Sequence, residues 1–147
     1  MSQGGAGVGS APFHLAPLNV AASLLDIHVA WAWVLIISNG LAGAWSLAAH
    51  YLEGLRTRAL WWFTVFAQVA VFVQVGLGVG LIAGQKLSAP KFHLFYGFVA
   101  IIAVGILYSY RDAPWMKHRL YQWYGAGGLF VMGLGIRAML VAHTGAR

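Results

Sequence analysis

The segment LWWFTVFAQVAVFVQVGLGVGLIA, from Leu60 to Ala83, contains no charged side chain. An α-helix rises about 1.5 Å per residue, so about 20 apolar residues cross a ~30 Å hydrocarbon layer. This segment is long enough to span a bilayer. Working outward from it, three more apolar stretches can be drawn, at Ser23–Ala49, Phe92–Tyr110 and Tyr121–Ala142. Composition agrees: of 147 residues, 61% are hydrophobic and 8% charged, whereas a soluble domain carries about 25% charged residues. No ten-residue alternation of a membrane barrel occurs, which leaves helices as the way to satisfy the backbone in lipid. The expected fold class is all-α, a polytopic membrane protein whose residues 21–147 form an up-down bundle of four transmembrane helices.

Residues 1–20 are uncharged and rich in Gly, Ala and Pro, and read as a flexible tail. They lack the basic start of a secretory signal. The chain has no cysteine, which excludes disulfides, thiolate metal sites and covalent haem attachment. Its formal net charge of +6 does not point to nucleic acid, because the basic residues lie mostly between spans. The first and third loops hold Arg56, Arg58, Arg111, Lys117 and Arg119, against Lys86, Lys91 and Arg147 at the other end. That asymmetry places loops one and three in the cytoplasm, in the cell (inner) membrane, with both termini outside. Trp61, Trp62, Trp115 and Trp123 then mark the inner boundary, and Trp31 and Trp33 the outer one.

Two openings match. His28-Val29-Ala30-Trp31-Ala32-Trp33-Val34 and His93-Leu94-Phe95-Tyr96-Gly97-Phe98-Val99 each place aromatics three and five residues after a histidine. The second and fourth spans share Phe72-Val73 with Phe130-Val131, and Gly76-Leu77-Gly78-Val79 with Gly133-Leu134-Gly135-Ile136. Two duplicated helical hairpins give this pattern, and so does the recurrence of Gly, Phe and Val in membrane helices. Gly76, Gly80 and Gly84 line one face of the second span, and Gly40, Ala44 and Ala48 one face of the first. Small residues at this spacing let helices approach closely, within the bundle or toward other membrane subunits or a second copy.

In this orientation Asp26, His28, Gln74, His93 and Arg137 share the outer level of the bundle. A histidine entering hydrocarbon is costly and calls for a partner. One reading makes His28 and His93, on parallel helices, the axial ligands of a haem b iron. Gly97 and Ala100 beyond His93, and Ala32, Asn39 and Gly43 beyond His28, would then leave a slot for the flat macrocycle. Gln74 lies at the same level, and Arg137 would pair a propionate. The other reading makes both histidines interfacial groups that reach water and bind nothing. A quinone headgroup, or a Cu or Zn ion completed by His143, are further ligands for the pair. Arg137 either pairs Asp26 or snorkels to lipid phosphate. His50 and His118 could form a second pair at the inner end, but His118 lies in the basic run Lys117-His118-Arg119, which faces cytoplasm and anionic lipid. No phosphate loop, nucleophile elbow or zincin motif is present.

Four helices with His28 and His93 on parallel spans resemble membrane b-type cytochromes, the cytochrome b561-like bundles and the four-helix halves of haem A synthase. The resemblance covers architecture and these two residues. It implies a haem-bearing electron carrier, or a subunit of a quinone-linked respiratory complex. From a different class comes a non-enzymatic structural or assembly subunit that packs through Gly76, Gly80 and Gly84.

Overall fold

The computed structural model describes residues 16–85 and 88–144, with side chains from residue 23 onward except those of 85–87. Four α-helices run in sequence: α1 (Ala16–Tyr51), α2 (Arg58–Gln85), α3 (Lys91–Ser109) and α4 (Leu120–Thr144). All four are long and apolar enough to cross a membrane. The all-α four-helix bundle expected from the sequence is the fold found. Span limits agree to within a few residues, apart from the start of α1. That helix begins at Ala16, inside the segment read as tail, and residues 1–15 lie outside the described part. Proline stands at or near the starts of elements: Pro17 in the first turn of α1, Pro90 just before α3, and Pro114 opening the 3-10 turn Pro114–Arg119. There its missing N–H forfeits no helical hydrogen bond.

Packing is uneven. Helix α1 makes its most extensive contacts with α4 and then with α2, α3 packs on α4, and α2 touches α3 only lightly. The central α1–α4 pair owes its closeness to glycine. A Cβ on Gly43 would stand 2.8 Å from the Leu129 backbone N, and one on Gly128 would stand 2.9 Å from the Asn39 carbonyl oxygen. Gly40 likewise takes Met132 against it. Gly76, Gly80 and Gly84 are expected from their spacing to pack within the bundle or toward another subunit; they face outward, with nothing within 4 Å of an added Cβ, and do not build the bundle. The glycines that do are those facing a partner helix, which spacing along one helix does not reveal.

Leu35, Ile36, Val71, Ala100, Val104, Val131 and Leu134 form the buried apolar core, with contributions from all four helices. Polar groups join α1 to α2 inside it. Asn39 Nδ2 donates to the Leu35 and Ala67 carbonyls at 3.0 and 2.8 Å, and Trp31 Nε1 donates to the Ala70 carbonyl at 3.0 Å. At the loop-one end Arg56 is more than a topogenic charge. Its guanidinium donates to the carbonyls of Ala49 and His50 at the end of α1, pairs Glu53 at 3.1 Å, and lies 5.3 Å from the Tyr121 ring centre on α4. The α1 C-terminus presents unpaired carbonyls, which a cation satisfies.

Candidate functional site

Helices α1 and α3 are diagonal in the bundle and touch little along their length. Their histidines nevertheless meet. The rings of His28 and His93 lie 6.0 Å apart, centre to centre, at 63° to each other. Both side chains are partly buried.

Each ring is held by the helix after its own. His28 lies on α2, with Nε2 3.3 Å from Nε2 of Gln74. In this orientation the Gln74 amide donates to the ring, and its Oε1 is buried without a partner. With the amide turned over, Oε1 would accept a proton from His28 Nε2, and the NH2 group would take the buried place that has no partner. Gly78, one turn beyond Gln74, gives the imidazole its bed, since a Cβ there would stand 3.2 Å from His28 Cε1. His28 Nδ1 is buried with no hydrogen-bond partner. His93 Nδ1 donates to the Ala138 carbonyl of α4 at 3.0 Å. In a neutral imidazole, that donation leaves the lone pair on Nε2, the tautomer seen in metal-ligating histidines.

Two imidazoles brought this close are donors that could hold a metal ion, and a metal bound by them would supply one-electron chemistry. Binding through both Nε2 atoms would take His28 from Gln74. The flanking space differs from the slot expected. Val75 of α2 stands 3.8 Å from a Cβ built on Gly97, so the face beyond His93 meets a side chain. Beyond His28, Asn39 is committed to the Ala67 carbonyl and Gly43 to the α4 backbone. Small residues beneath the histidines thus serve helix contact.

Arg137 and Asp26 do not pair. Asp26 is exposed, and Arg137 is exposed with its guanidinium 6.0 Å from the Tyr96 ring centre. His143 donates to the Met139 carbonyl of its own helix, and among the described residues no group of three or more His, Asp or Glu could hold a metal ion. His50 stacks edge-on against Tyr51, and His118 is exposed. Sequence reasoning missed Gly78 and Ala138 as site residues. Gly78 had a signal, being four residues after Gln74 and so on its face; a backbone carbonyl such as that of Ala138 has none.

No protein-family model, curated protein or solved structure matches this chain.

Proposed function

We propose that the protein is a small electron carrier of the cell (inner) membrane that holds a haem b between His28 and His93. The single observation that supports this is the meeting of two imidazoles from diagonal helices, their ring centres 6.0 Å apart, which could hold a metal between them. The Ala138 carbonyl would fix the His93 tautomer and ring angle. Gln74 would hold His28 in the same way where the iron takes Nδ1, the ring nitrogen without a partner. Arg137, beside Tyr96, supplies the cation for a propionate at the outer level. Bound there, the haem would supply one-electron chemistry, and the apolar walls of the bundle would keep water from it. A quinone-linked respiratory complex is the natural setting, with loops one and three in the cytoplasm and both termini outside.

The test is the visible spectrum of protein purified from a haem-sufficient host, oxidised and reduced. The reading requires a Soret band that disappears in both His28→Ala and His93→Ala. A colourless wild-type preparation overturns it.

A second reading, a non-enzymatic packing or assembly subunit, draws on Gly76, Gly80 and Gly84, which present a smooth outward ridge to a neighbouring helix or a second copy. It predicts colourless protein whose oligomeric state changes in Gly80→Leu.

A further inference from the structure

At the opposite end of the bundle from the histidines, a cleft of about 610 Å³ opens between the 3-10 turn and the first turns of α4. Trp115, Met116, Arg119, Gln122, Trp123 and Ala126 line it. Arg119, Gln122, Trp123 and Ala126 follow the i, i+3, i+4, i+7 pattern of one helix face. The Trp123 ring is braced by Tyr110 at 5.8 Å, and Tyr110 in turn contacts Trp115 at 5.6 Å. That bracing holds the indole N–H in a buried position where it has no hydrogen-bond partner.

A guanidinium can only donate. The cleft therefore offers the Arg119 cation, with Gln122 able to add a donor and no carboxylate among the lining residues. Its complement is a group made of acceptors and carrying negative charge. Exposed Arg111 and Lys117 add positive potential around it, opposed in that loop by Asp112 alone. The location narrows the ligand further. The cleft lies where an apolar span ends, with Trp115 exposed beside it and Met116 and Ala126 forming an apolar wall. Tryptophan at such a border sits at headgroup level.

We infer that this cleft seats the headgroup of an anionic phospholipid, with Arg119 on the phosphate, Gln122 beside it, and an acyl chain along Met116 and Ala126. The site is independent of the histidine pair and of any haem.

Native mass spectrometry of the delipidated full chain in detergent tests it, with dioleoyl phosphatidylglycerol, dioleoyl phosphatidylcholine and inorganic phosphate as probes. The expected result is one phosphatidylglycerol per chain, bound at least about tenfold more tightly than phosphatidylcholine. Arg119→Gln removes a charge-assisted hydrogen bond and should weaken that binding about tenfold or more. Lys91→Gln, at the other end of the bundle, should change it little. Equal binding of the two lipids, or full affinity in Arg119→Gln, overturns the inference. So does inorganic phosphate binding as tightly as the lipid, which would make the ligand a free anion.

Discussion

His28 and His93 bridge the diagonal of the bundle, their rings 6.0 Å apart, although the helices that carry them barely touch elsewhere. The contact is assembled by two hairpins. α2 orients the first ring through Gln74 and Gly78, α4 orients the second through the Ala138 carbonyl, and the tight α1–α4 pair brings the hairpins together.

Gln74 is hydrogen-bonded to His28, and under the haem proposal it is not itself a ligand. Gln74→Leu should therefore lower stability by about 1 kcal/mol, the scale of one side-chain hydrogen bond inside a membrane bundle. It should leave a Soret band in place where His28→Ala removes it. Thermal unfolding in detergent and the visible spectrum read the two effects separately. Loss of the band in Gln74→Leu would make Gln74 part of the coordination itself.

Glycine substitutions should sort by what each Cβ meets. Gly43→Ala and Gly128→Ala push a methyl group against backbone atoms at 2.8–2.9 Å, and nothing there can move without separating α1 from α4. Each should cost about 2–3 kcal/mol or prevent folding. Gly76→Ala and Gly80→Ala meet open space and should leave the monomer as stable as wild type or slightly more so, since Ala is the better helix former. Unfolding midpoints in detergent check both halves.

Asn39 is 2% exposed and spends both amide protons on carbonyls, one in its own helix and one on α2. Asn39→Ala should lose about 1–2 kcal/mol, a cross-helix hydrogen bond plus a small cavity. Asn39→Asp should be worse, because the carboxylate cannot donate to either carbonyl and brings a charge into the bundle interior. A ranking with Asp above Ala in unfolding experiments would contradict this assignment.

Arg56 should resist conservative replacement. Its nitrogens reach two α1 carbonyls and Glu53 while its plane lies over Tyr121. Lysine retains charge but not the planar fork, so Arg56→Lys should recover less than half of the roughly 1–2 kcal/mol lost in Arg56→Ala. The Glu53 partner is 84% exposed and contributes little, so Glu53→Gln should be nearly neutral.

The amino-acid order alone determined four apolar helices, their approximate limits and their antiparallel succession. Desolvating a backbone in lipid leaves few other solutions, and hydropathy reads that constraint directly. It also singled out His28, Gln74 and His93, because polar groups in an apolar run are rare enough to count. Tertiary structure alone decided what those residues face. Rotation of each helix about its axis set Arg137 beside Tyr96 instead of Asp26, turned Gly76, Gly80 and Gly84 outward, and gave Gly43 and Gly128 the α1–α4 seam. Along a membrane helix that is apolar on every side, periodicity carries little information about rotation, and only contact with the neighbouring helix fixes it.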